Sequence, residues 1–174
     1  ALATIEAGMR IAQIINDTVG KAALWQAKAQ IFQDAEKYAE AIACTDSTIY
    51  FSSLAKDENY LFAAYFKKAF CLYKSSMYPQ GRTLLAEADK VLREYADKLS
   101  GNDSLDQWRK RYEYEGWIDY TAGNYEAALK NMYKGISINK SMQTEAANEN
   151  IANDYWYIGK IFKQQGFYEK SLHA

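Results

Sequence analysis

Gly123-Asn124-Tyr125-Glu126-Ala127-Ala128 sets the phase of this chain, because its pattern returns as Gly166-Phe167-Tyr168-Glu169-Lys170-Ser171. Two weaker echoes precede it, Glu36-Lys37-Tyr38-Ala39-Glu40-Ala41 and Ser76-Met77-Tyr78-Pro79-Gln80-Gly81. Anchored on Tyr38, Tyr78, Tyr125 and Tyr168, the periods are 40, 47 and 43 residues, which lies in the range of stacked supersecondary units. Nine residues before each tyrosine stands a small residue, Ala29, Ala69, Gly116 or Gly159, and four before that a large aromatic, Trp25, Tyr65, Tyr112 or Tyr155. Three after the small residue come Phe32, Leu72, Asp119 and Phe162.

Aromatic, small and apolar at i, i+4 and i+7 share one face of an α-helix. The small residue lets a second helix approach, and the Gly or polar residue two before the tyrosine closes a short turn. The tyrosine then opens a return helix whose first inner contact is Ala41, Gly81, Ala128 or Ser171. Each unit is thus expected to be a helical hairpin that cannot bury its apolar face alone.

These columns resemble the tetratricopeptide repeat family, whose first helix carries W-x2-L-G-x2-Y and whose second carries A-x3-F followed by Pro. The resemblance runs from about Ala22 to the C-terminus and is strongest in the last two units. The chain departs from the family in its Leu column, which reads Lys28, Lys68, Glu115 and Ile158, in the missing terminal Pro, and in periods above 34. The resemblance implies an all-α fold, a right-handed α-α superhelix of antiparallel helix pairs. The expected organisation is one domain, with an N-terminal helix in 1–20 and units at 21–57, 58–102, 103–142 and 143–174. The last unit is incomplete, so a fragment of a longer protein is expected.

Composition agrees with the helical reading. One Pro and nine Gly in 174 residues leave little turn material for a β-rich fold. With 21 basic against 22 acidic residues, the net charge of −1 gives no global attraction to nucleic acid or an anionic membrane. Apolar runs such as Leu61 to Phe66 fall far short of the roughly 18 residues a membrane span needs, so no membrane insertion is expected. No targeting segment is visible within the fragment, which leaves the cytoplasm and the periplasm equally open. Cys44 and Cys71 lie inside expected helices without metal-ligand or CxxC spacing, and read as small buried hydrophobes, with a disulfide left open.

Along the chain, Ile5, Met9, Ala12 and Ile15 form an apolar helical stripe that Asp17 to Gly20 should end. Helices are expected over about 21–35, 38–53, 59–75 and 78–99, with Pro79 tolerated in the first turn of the last. Ser100 to Ser104 reads as the clearest loop, Asp103 or Ser104 capping the next helix. A helix over 125–138 follows, a break at 141–144, and a helix over 145–165 interrupted near Asn148 to Asn153. Tyr168 should open a last return helix, through which self-association is a further expectation.

No catalytic chemistry is expected. The single histidine is the penultimate residue, His173, and no nucleophile-elbow, P-loop, zinc-helix or dinucleotide-binding motif occurs, so no enzyme, cofactor or metal is implied. In the repeat family, residues one, five and eight places after the aromatic face the hollow side of the superhelix. Carried onto this chain, that resemblance places Gln26, Gln30 and Gln33 there, then Phe66, Phe70 and Tyr73, then Glu113, Trp117 and Tyr120, and finally Trp156, Lys160 and Lys163. It implies a non-catalytic scaffold that takes a protein or peptide partner in an aromatic groove, with no nucleic acid. The alternative for the rings is ordinary packing between helices, because aromatic stripes at helical spacing commonly line cores. A second functional reading is the sensory region of a bacterial signalling protein, a histidine kinase or transcriptional regulator whose output module lies elsewhere. It rests on the likeness of Tyr155-Trp156-Tyr157-Ile158-Gly159-Lys160-Ile161-Phe162 to repeats in such proteins.

Overall fold

A computed structural model describes residues 1–96, 98, 101–142 and 145–167. Among the described residues the chain is all-α: α1 (Leu2–Ile14), α2 (Thr18–Asp34), α3 (Tyr38–Ala55), α4 (Glu58–Lys74), α5 (Tyr78–Ala96), α6 (Gly101–Thr121), α7 (Tyr125–Met142) and α8 (Glu145–Gln164). None of these helices is long and apolar enough to cross a membrane.

One local device recurs at the helix ends. Asn16, Glu36, Lys56, Ser76, Gly123 and Gly166 all adopt left-handed φ between 53° and 79°. Around each, two hydrogen bonds close the helix: Lys37 N–H donates to the Phe32 carbonyl at 2.8 Å and Glu36 N–H to Gln33 at 3.0 Å. The same pair forms from Met77 to Leu72 and Ser76 to Tyr73, from Asn124 to Asp119 and Gly123 to Tyr120, and from Phe167 to Phe162 and Gly166 to Lys163. This is the Schellman arrangement, in which the left-handed residue frees two consecutive N–H groups to satisfy carbonyls of the last turn. The position two before each anchoring tyrosine is therefore a geometric requirement, filled by Gly only twice.

The chain divides into two compact units, 1–93 and 94–174. In the first, α2 packs against α1, α3 and α4, and α3 against α4. Its core holds Ala22, Ala29, Ala41, Cys44, Phe62, Phe66, Ala69 and Cys71. The small columns meet where helices cross: a Cβ placed on Gly81 would lie 2.5 Å from the Tyr73 ring and 3.4 Å from the Ala69 carbonyl oxygen. Both cysteines are buried and free, so no disulfide joins them. Burial pushes the Cys71 thiol to about 11. In the second unit α7 packs against α6 and α8, and α6 touches α8. Ala128, Met132, Ile136, Ile158 and Ile161 form its centre, with Gly116 so close to α7 that a Cβ would meet Met132 Cγ at 3.0 Å.

Several expected boundaries shift. Asp17 does not end α1; it caps α2, accepting from Gly20 N–H at 2.8 Å, and α1 has already closed at Asn16. Asp57 likewise caps α4 through Tyr60 N–H at 3.0 Å. The loop expected at Ser100 to Ser104 is helical from Gly101 onward, so Asp103 and Ser104 occupy the first turn, where their residue types are as well suited as at a cap. The break expected near Asn148 to Asn153 is absent, because Ala147, Ile151, Asp154, Ile158 and Ile161 keep one inner stripe through it. Helix α7 runs past the expected end at Ile138 to Met142. The return helix from Tyr168, with His173 and the expected self-association, lies outside the described residues.

A Cβ on Gly123 would meet no atom within 4 Å, so its substitution tests backbone geometry alone. Gly123→Ala should lower unfolding free energy by roughly 1 kcal/mol, and Ser76→Gly should raise it by about 0.5–1 kcal/mol, because only Gly enters the left-handed region without a Cβ clash. Urea titrations followed by circular dichroism check both, and opposite signs would refute the role of the turn.

Candidate functional site

The second unit brings its aromatic residues into one connected group. Tyr157 on α8 stands at the centre, its ring 5.8 Å from Trp117 and 5.4 Å from Tyr120 of α6, and 4.9 Å from neighbouring Trp156. Tyr114 extends the group at 5.4 Å from Trp117, and Tyr125 at 6.1 Å from Tyr120. The Tyr125 hydroxyl donates to Gln164, fastening the start of α7 to the end of α8. Tyr157 meets Tyr120 and Trp156, and Tyr114 meets Trp117, edge to face, while the other two pairs are tilted; aromatic pairs contribute roughly 0.5–1.5 kcal/mol each beyond their burial. The group is therefore a rigid plate rather than a set of independent side chains.

Trp156 is the part of the plate that reaches solvent, at 54% exposure. The Lys160 ammonium, one turn later, sits 3.3 Å from the centre of the Trp156 ring and 5.8 Å from that of Tyr157. Charge and ring face thus lie side by side, while Lys163 projects into solvent beyond them.

The same unit holds a buried charged group. Arg109 Nη1 bonds Glu113 at 2.5 Å, and its Nε and Nη2 bond Asp106, each at 2.9 Å. Lys110 adds a contact to Asp106 at 2.8 Å. Burial raises the Glu113 carboxyl against the opposing pull of Arg109. Burial would also raise Asp106, but the hydrogen bonds and charges of Lys110 and Arg109 hold it below its ordinary value. Asp154 and Asn139 are each 1% exposed, and among the described residues neither Asp154 Oδ1 nor either polar atom of the Asn139 side chain has a hydrogen-bond partner. A Cβ on Gly135 would stand 3.2 Å from Asp154 Oδ2, so the carboxylate lies over α7 one turn from Asn139. Burial first, and then the charge of Glu113, push Asp154 up to about 7, with Arg109 opposing.

Set against the expected groove, Trp117, Tyr120, Trp156 and Lys160 meet in this plate, and Glu113 lies one turn from Trp117 but is buried and committed to Arg109. Phe66, Phe70 and Tyr73 of α4 are buried and present little surface to solvent. Tyr73 is held by Tyr78 at 5.4 Å and Phe70 lies under the Lys74 ammonium at 5.5 Å. On α2, Gln30 bonds both Asp34 and the buried Lys67, whose ammonium burial draws down to about 8. Gln26 and Gln33 are half-buried, each with its amide oxygen turned in and without a donor among the described residues. Sequence reasoning missed Tyr157, Tyr114, Asp154 and Asn139. The signal for the last two was readable: Asp154 interrupts the stripe Ala147, Ile151, Ile158, Ile161, and Asn139 continues the stripe Ala128, Met132, Gly135. Among the described residues no group of three His, Cys, Asp or Glu could hold a metal ion.

No known protein-family model matches the chain, and no curated protein matches it.

The charged layer predicts a pH dependence whose sign follows from linkage. Unfolded, Asp154 titrates at its ordinary 3.8; folded, at about 7, so the folded state holds this proton more tightly between the two values. Its stabilising contribution is complete below the lower value and is lost as pH rises through the upper one. Asp154→Asn should therefore raise unfolding free energy at pH 7.5 by about 1–3 kcal/mol and flatten the decline from pH 5 upward. Tryptophan emission during denaturation, in a Trp25→Phe background, reads this unit, which holds Trp108, Trp117 and Trp156. A wild-type curve flat across that range, or a less stable variant at pH 7.5, contradicts the assignment.

Proposed function

We propose that this chain is a non-catalytic tetratricopeptide-like scaffold, a right-handed stack of helical hairpins, and that it binds a peptide or protein segment at the ring plate of α6 and α8. The observation that carries the reading is the exposed Trp156 joined through Tyr157 to Trp117 and Tyr120, with Lys160 across its face. Rigid, partly wet aromatics beside a cation are the composition of binding hot spots, since large contact area becomes available with few rotamers left to freeze. Repeated hairpins supply a pre-formed support, so ordering falls mainly on the ligand. Lys163, exposed one turn beyond the plate's edge, favours a ligand with a carboxylate near its aromatic or apolar anchor.

Peptides selected from a displayed random library against the folded chain test this reading. Trp156→Ala should weaken selected peptides by tenfold or more, about 1.4 kcal/mol, with helicity unchanged because the ring is largely solvent-facing. Trp117→Ala should weaken them too, at some cost in stability from its half-buried indole. Peptides that bind Trp156→Ala as tightly as wild type, or a library that yields none, would remove the plate as the binding surface.

A further inference from the structure

Helix α1 has two unlike sides. Ile5 and Ala12 are buried toward α2, and Gly8 lies so close that a Cβ would meet Leu24 Cδ2 at 3.0 Å. Turned about the helix axis, Ala3, Ala7, Ile11 and Ile14 follow at i, i+4, i+8 and i+11, a second apolar stripe flanked by Thr4 and Ile15. Ile11, Ile14 and Ile15 are 59%, 83% and 65% exposed. Three branched side chains this open within five residues are unusual on a helix whose other face already fills a core.

The stripe is graded, with methyl groups in its N-terminal half and isoleucines in its C-terminal half. Along one flank run Glu6 and Arg10, both exposed, and among the described residues neither is engaged in an ion pair. We infer that α1 is a self-association surface, pairing antiparallel about a twofold axis with α1 of a second copy of this chain. In that arrangement Ile14 of one copy lies over Ala3 of the other and Ile11 over Ala7, so large meets small at each level. A twofold interface places residue i on j and j on i, and antiparallel helices bring like flanks together. Glu6 then faces Arg10 of the second copy, and the contact occurs twice.

A parallel pairing sets Ile on Ile and Ala on Ala, which leaves a gap at one end, and it brings opposite flanks together, so Glu6 and Arg10 meet the Thr4 and Ile15 flank instead of each other. A lipid surface is disfavoured because α1 carries one acid and one base, without the cationic face that interfacial helices use. The contact involves one helix of 13 residues per copy, so it is smaller than standard interfaces and the association is weak, on the order of 10–100 µM.

Sedimentation equilibrium of the 174-residue chain across about 5–500 µM brackets that affinity. The expected result is a reversible monomer–dimer equilibrium. Ile14→Asp, at a position open enough to leave helicity intact, should abolish the dimer. Arg10→Glu, which sets acid against acid at both ends, should weaken it about tenfold, and the double exchange Glu6→Arg with Arg10→Glu should restore it, because the swapped pair is again complementary. A chain that stays monomeric throughout, a dimer that survives Ile14→Asp, or a double variant as weak as Arg10→Glu would each overturn the inference.

Discussion

At each closing turn two consecutive N–H groups reach back to carbonyls of the last helical turn, and the chain reverses within three residues. The register of the hairpins follows from that reversal. Because Phe32 and Leu72 accept the longer-range bond at two of the turns, the distance from the aromatic column to the turn is fixed. The small residue three places earlier then lands opposite the small residue three places into the return helix. Gly81 beneath Tyr73 and Gly116 beside Met132 show how little space remains when that register is kept. A one-residue slip would rotate each helix by about 100° and set large side chains against each other at the crossing.

The second unit keeps this scheme while placing ions inside it. Asp106, Arg109 and Glu113 form a ladder along one helix in which every guanidinium edge is used, so the burial of Arg109 is compensated by short, charge-assisted bonds. Asp154 feels the Arg109 charge, but its Oδ1 has no hydrogen-bond partner among the described residues, and burial outweighs that attraction. It occupies a stripe position that Ile or Leu would fill at lower cost, over a glycine and one turn from an amide that has no hydrogen-bond partner among the described residues. Asp154 on α8 and Asn139 on α7, both buried with side-chain polar atoms that lack such a partner, weaken the packing of the helix that carries Trp156 and Tyr157.

Much of the architecture was legible in the sequence because the turn chemistry and the packing columns repeat. The starts of α3, α5 and α7 at tyrosine follow from the residue two before each, and Pro79 fits because the first turn of α5 needs no N–H there. Boundaries failed where one residue type serves two purposes. Asp17 reads equally as the end of one helix and the cap of the next, and Gly101-Asn102-Asp103-Ser104 has loop composition although its members also suit a first helical turn. Asn148 to Asn153 stays helical because packing along the inner face outweighs weak propensity. The candidate site was legible only in part. Trp117, Tyr120, Trp156 and Lys160 follow from the repeat phase, whereas Tyr157 lies two places after the aromatic, a position that carries no pattern of its own. Phe66 and Phe70 share that phase yet are buried, because periodicity gives a helix face and says nothing of what covers it.

The uneven repeat lengths also have a physical reading. The connections from α1 through α5 and between α6 and α7 stay at two or three residues, while the outgoing helices grow from 17 residues in α2 and α4 to 21 in α6 and 20 in α8. Length added to a helix brings one backbone hydrogen bond per residue and extends an existing contact, whereas length added to a loop only increases the entropy lost on closing it. The growth is at the N-terminal end: α6 begins eleven residues before its column aromatic Tyr112, whereas α4 begins seven before Tyr65. That overhang must be stabilised within its own helix, and the i,i+3 and i,i+4 pairs of Asp106 with Arg109 and Lys110 do so just inside the added turn. The ionic ladder of α6 is thus tied to the longer repeat.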